Sequence, residues 1–137
     1  MKFTFQKLVR RPHLASIEDM RAASVASIWL GNFTHEEKLM AYVSSKSDFE
    51  EHFGFRMGDS DSPEISVEFE LTGIRDLLTG FSSWASFIDE ACALAEEQKI
   101  THANCAVVWY FINYKALKFT PSPDAQLHFL GVISFKQ

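Results

Sequence analysis

Cys105-Ala106-Val107-Val108-Trp109-Tyr110-Phe111-Ile112 contains no charged and no amide side chain, and its reading decides the fold. A strand with one wet face alternates apolar and polar residues. An apolar run of this length is a strand covered on both faces, which places it in the middle of a sheet. Moving toward the N-terminus, Val25-Ala26-Ser27-Ile28-Trp29-Leu30 is a second apolar-rich strand, stopped by Gly31-Asn32. Moving toward the C-terminus, Leu127-His128-Phe129-Leu130-Gly131-Val132-Ile133-Ser134-Phe135 is the last strand, after a loop with Pro121 and Pro123. Ile65-Ser66-Val67-Glu68-Phe69-Glu70 alternates strictly and predicts a strand whose wet face carries Glu68 and Glu70.

Helices fill the intervals. Thr34 with Glu37 three residues later has the form of a capping box, with Phe33 as a staple and Leu39, Met40 and Val43 as the apolar face. A short helix is expected over 47–53, within a stretch punctuated by Gly54, Gly58 and Pro63. Ile74, Leu77 and Leu78 suggest one or two turns ending at Gly80. Ser82 or Ser83 then caps a longer helix with the stripe Trp84, Phe87, Ile88, Ala91, Cys92 and Ala95. The order predicts an α+β fold, a mostly antiparallel sheet of four to five strands with helices packed on one side. Residues 1–23 read as a basic extension, with Lys2, Lys7, Arg10 and Arg11 ahead of the first acid, Glu18. Phe3 and Phe5 form a possible edge strand there, and Ser16 opens a short helix. Residues 24–137 read as one domain.

Composition agrees with a globular chain. In 137 residues, 47% are hydrophobic and 23% charged, and 13 Phe supply enough aromatic area to close a core without disulfides. The net charge of −5 disfavours nucleic acid as a direct partner. Two cysteines without a Cys-x-x-Cys spacing fit a reducing compartment. No apolar run is long enough for a signal peptide or a membrane span, so the expected location is the cytoplasm.

The usual catalytic and metal motifs fail on inspection. His35-Glu36-Glu37-Lys38 lacks the second His that a zinc-protease helix needs, since position 39 is Leu39. Asp59-Ser60-Asp61-Ser62-Pro63-Glu64 spaces its acids as a calcium loop could, and Glu70 stands at the twelfth position, but the sixth position, which needs Gly, holds Glu64, and Pro63 stands in the loop. Gly80-Phe81-Ser82-Ser83-Trp84 ends in Trp84 where a nucleophile elbow needs Gly. A Cys–His pair drawn from Cys92 or Cys105 with His102 or His128 has no support from spacing. The expectation is therefore no catalytic residue, no metal and no cofactor.

Charge is distributed unevenly. Asp48, Glu50, Glu51, Asp59, Asp61, Glu64, Glu68 and Glu70 are eight acids against the single base Arg56, about −7 within a chain of −5. Such a stretch is either a solvated face or a docking surface for a basic partner.

Ser27-Ile28-Trp29-Leu30-Gly31-Asn32-Phe33, the Glu-rich helix after it, Phe53-Gly54, Leu77-Leu78-Thr79-Gly80-Phe81-Ser82 leading to Ser86-Phe87-Ile88, and Phe129-Leu130-Gly131-Val132 resemble the immunity protein 22 family over roughly residues 24–136. The resemblance implies a non-catalytic protein that binds and neutralises a cognate bacterial toxin of a polymorphic toxin system. Many such toxins attack nucleic acid through basic clefts, so a nuclease covered by an acidic surface is the implied partner. An interface of roughly 1,600 Å² needs aromatic anchors as well as charge. The expected toxin-binding residues are Asp59, Asp61, Glu64, Glu68 and Glu70, with Phe55, Trp29 and Trp84 as anchors. The alternatives are a small hydrolase with a Cys/His or carboxylate site, and a ligand-binding or scaffolding module with an apolar cavity under the sheet.

Overall fold

The computed structural model describes residues 14–58 and 62–137. The basic segment up to His13, with the expected strand at Phe3 and Phe5, lies outside the described residues, as do Asp59 and Asp61. Six strands are formed among the described residues: β1 (Ala15–Ser16), β2 (Arg21–Gly31), β3 (Phe55–Arg56), β4 (Glu64–Gly73), β5 (His102–Ile112) and β6 (Leu127–Ser134). The helices are α1 (Glu36–Tyr42), α2 (Asp48–Phe53), α3 (Ile74–Leu78) and α4 (Trp84–Glu97), with 3-10 turns at Ile17–Met20 and Tyr114–Leu117. The main sheet is antiparallel in the order β4-β5-β2-β6, and β1 and β3 make a small parallel pair. The α+β class is as the sequence predicts, and the all-apolar strand is interior, between β4 and β2.

The helices divide between both faces of the sheet, a correction to the expectation of one side. Alternation explains it. Ala26, Ile28 and Leu30 of β2, with Ala106 and Val108 of β5, pack under α3 and α4. Trp29 of β2, with Cys105, Val107 and Trp109 of β5, points the other way, against Leu39 of α1 and Phe49 and Phe53 of α2. Strands apolar on both sides need two covers, and short helices from both halves of the chain supply them. The second layer is aromatic. Trp29 has ring centroids of Phe49, Phe53, Tyr114 and Phe129 at 5.6, 5.8, 5.6 and 5.2 Å, spacings at which aromatic pairs add to simple burial.

Part of the expected N-terminal extension belongs to the fold. Ile17 and Met20 are buried in the aromatic layer. The Asn113 N–H donates to the Met20 carbonyl at 2.8 Å. A capping box does form, but at Ser16, whose hydroxyl accepts from the Glu18 N–H while Asp19 accepts from the Ser16 N–H. The box expected at Thr34 does not. The helix begins at Glu36, with His35 at the cap and no side-chain bond there. Its phase is set by Leu39, Tyr42 and Val43, which are buried, and that rotation leaves Met40 54% exposed.

Two irregularities shape the sheet. Between Ile28 and Trp29 the pairing of β2 with β6 skips from Gly131 to Phe129, leaving Leu130 as a bulge. The extra residue reverses the strand's phase, so Phe129 joins the aromatic layer while Leu130 and Ile133 face α4. Gly131 fits because a Cβ there would sit 2.8 Å from Leu94 Cδ1. The other irregularity is in β4, and it forms the candidate site.

Candidate functional site

β4 pairs with β5 from Glu64 opposite Val108 to Val67 opposite Cys105, and resumes with Thr72 opposite Ala103. Four residues, Glu68-Phe69-Glu70-Leu71, therefore stand against Asn104 alone. A bulge ordinarily adds one residue. The surplus chain has no ladder positions to occupy and projects from the sheet edge. Phe69 is 94% exposed and Leu71 64%, with Glu68 and Glu70 exposed beside them. The Thr72 hydroxyl donates to the Glu70 carbonyl at 2.9 Å and ties the C-terminal end of the excursion.

Glu64, at the start of β4, has a different task. Its carboxylate accepts from the Ser82 N–H at 2.9 Å and the Ser82 hydroxyl at 2.8 Å, fastening the strand to the loop before α4. Tyr110 donates its hydroxyl to the Ser82 carbonyl in the same knot. Burial, reinforced by the neighbouring Glu64 charge, raises the Tyr110 pKa well above the ordinary phenol range. Glu64 contributes charge to this edge, but its oxygens are committed within the molecule.

The eight acids of the sequence stretch do not form one face. Glu50 is buried and accepts from the Met57 N–H at 2.8 Å, holding the segment after β3. Trp29 and Phe55, expected as anchors, are both 0% exposed in the aromatic layer. They present no surface to a partner: an apolar side chain on a two-face-covered strand, or one inserted among Phe49, Trp109 and Tyr114, is a core residue. Trp84 alone of the three anchors reaches the surface, 36% exposed at the first position of α4. Phe69 and Leu71 were missed because strict alternation assigns them, with Ile65 and Val67, to the buried side. The polar Asn104, just before the apolar run of β5, is the residue at which pairing lapses, and it is the available hint.

The groups considered for catalysis are dispersed. Cys105 is buried facing the aromatic layer, and Cys92 is half-buried against the α3–α4 layer. Burial raises the pKa of both thiols; backbone N–H groups of Phe33 and Gly31 oppose this at Cys105, and the Arg75 charge opposes it at Cys92. Such thiols are protonated and poorly nucleophilic at neutral pH. His102 bonds to Thr101 and His128 to Gln98, at 3.0 and 2.6 Å. An open cleft of about 740 Å³ lies at one end of the sheet, lined by residues including Phe33, Phe53, Ser122, Gln126 and His128; its lining has neither carboxylate nor thiol. Among the described residues no group of three or more His, Cys, Asp or Glu side chains is placed to hold a metal ion, and no helix is long and apolar enough to cross a membrane.

A small α+β protein with filled sheet faces and one projecting acidic–aromatic strand edge has the features of a protein-binding domain. The sequence model of the family described as Immunity protein 22 matches residues 26–136, and the chain belongs to that family. Membership implies a toxin-neutralising immunity protein with a cognate toxin as partner, and suggests a non-catalytic role. No curated protein and no solved structure gives a significant match.

Proposed function

We propose that the protein neutralises its cognate toxin in the bacterial cytoplasm by binding it through the acidic β4 edge. The toxin is read as a basic domain, of which a nuclease is the best fit. The observation that carries this reading is the pairing of family membership with exposed Glu68 and Glu70 on a projecting strand edge. Asp59 and Asp61 belong to the same acidic stretch of sequence, and Glu64 adds its charge from the base of the strand. Trp84, exposed beside the Ser82 knot, is retained as a rim contact. Negative charge of this kind accelerates encounter with a basic surface and selects the partner.

Co-expression with the toxin-like product of the adjacent gene tests the reading. Survival of the host and co-purification of the two chains are expected. Absence of a toxin-like neighbour, or no rescue on co-expression, refutes it. Charge reversal at Glu68 and Glu70 is expected to slow association and weaken its salt dependence while leaving dissociation nearly unchanged; unchanged association rates remove both residues from the interface.

A further inference from the structure

We propose that the excursion Glu68-Phe69-Glu70-Leu71 is the anchor of the toxin interface: Phe69 and Leu71 enter an apolar recess of the toxin, and Lys or Arg side chains on its rim meet Glu68 and Glu70. This rests on the toxin-neutralising reading above and specifies the chemistry of the partner's surface.

Three observations carry it. The excursion is built out from the sheet rather than packed on it, with four residues facing Asn104, whose buried carboxamide oxygen has no hydrogen-bond partner. That carboxamide oxygen does not tie the excursion to β5. At 94% exposure Phe69 also gains nothing from the core, although the same strand buries part of Ile65 and Val67. An aromatic side chain surrounded by polar ones is the composition expected at the centre of a binding patch.

The second observation is the contrast with the opposite edge. Backbone groups of β6 are occupied from the α4 side: the Leu130 carbonyl accepts from Gln98 Nε2 at 2.8 Å, and the Ser134 N–H donates to Glu90 at 3.0 Å. Lys136 N–H continues the pattern on Ser86 at 2.9 Å. Side chains that satisfy an edge strand discourage further pairing there. Between Glu68 and Leu71 the cover of β4 is local: the Thr72 hydroxyl on the Glu70 carbonyl and, among the described residues, no helix laid along the strand as α4 is along β6.

Charge then chooses the occupant. A second copy meeting the same edge would set Glu68 and Glu70 against their own counterparts, an arrangement that like-charge repulsion disfavours. A basic partner meets them with complementary charge.

The test uses the toxin domain encoded beside this gene, immobilised, with the 137-residue chain as analyte. Phe69→Ala is expected to raise Kd by roughly 30-fold or more, mainly through faster dissociation, with an unchanged melting temperature because Phe69 packs on so little. Amide exchange over 68–72 is expected to slow in the wild-type complex, a readout that needs no variant. If the wild-type complex forms but Phe69→Ala dissociates as slowly as wild type, or exchange over 68–72 is unaffected, the anchor is refuted while the neutralising function stands. If the wild-type chain does not bind the toxin, the functional reading itself falls. A concentration-dependent dimer dispersed by Phe69→Ala would replace the toxin with a second copy and overturn the inference.

Discussion

Trp29 separates a core reading from a surface reading cleanly. Its side chain is fully buried, with four aromatic rings at 5.2–5.8 Å, and its indole N–H has no hydrogen-bond partner. Trp29→Ala leaves a cavity among rings fixed on a helix, a 3-10 turn and a strand, which limits relaxation. The expected cost is about 3–5 kcal/mol, a large share of a typical total of about 5–15 kcal/mol. With an unfolding entropy near 2.1 cal/mol/K per residue, the 137-residue chain loses roughly 10–17 °C in Tm. Trp29→Phe keeps the edge-on ring contacts and removes the unpartnered donor, so less than half of that loss is expected. Differential scanning calorimetry gives both values, and binding kinetics at a temperature where both variants are folded supply the control. A Trp29→Ala variant that melts within about 3 °C of wild type yet binds toxin more weakly would refute the core assignment and restore Trp29 to the interface.

Gly54 ends α2 with φ +80°, and a Cβ there would lie 2.6–2.8 Å from three ring atoms of Phe119. Gly54→Ala should cost about 2 kcal/mol from left-handed strain and the clash, and Phe119→Ala in the same chain should return only the clash; chemical denaturation of the two variants checks this. Burial raises the phenol pKa of Tyr42, Tyr110 and Tyr114. Their folded pKa lies above the unfolded value, so their contribution is complete below about pH 10 and is lost as pH rises beyond it. Stability measured from pH 9 to 12 should fall with pH, and Tyr114→Phe should flatten that slope; a slope of the opposite sign would refute the assignment. A thiol reagent at neutral pH should label Cys105 far more slowly in the native chain than after denaturation, with Cys92 intermediate; rapid native labelling of Cys105 would revive a thiol chemistry.

Local sequence was sufficient for the four strands of the main sheet, the four helices and the fold class, but not for the short parallel pair of β1 and β3. Apolar continuity marks β5 as interior, alternation marks β4, and the spacing of Phe87, Ile88, Ala91 and Ala95 marks the buried stripe of α4. These signals depend on neighbours within a few residues, which is why they survive without tertiary knowledge. The start of α1 was misread because a capping pattern at Thr34 competes with the burial of Leu39, Tyr42 and Val43, and burial sets the phase. The family, too, is legible in the sequence, since Immunity protein 22 covers residues 26–136.

What the chain alone determined, then, is two-sided apolar strands, amphipathic helices and an excess of acid between Asp48 and Glu70. Only the tertiary structure decided which acids serve the fold and which face water: Glu50 and Glu64 hold backbone, while Glu68 and Glu70 stand exposed. It likewise sent Trp29 and Phe55 into the core and Phe69 out to solvent. The reason is register. A side chain's direction follows from its own strand, but whether that strand has a partner at that level depends on a residue some 35 positions away along the chain, Asn104, and on how many residues stand opposite it.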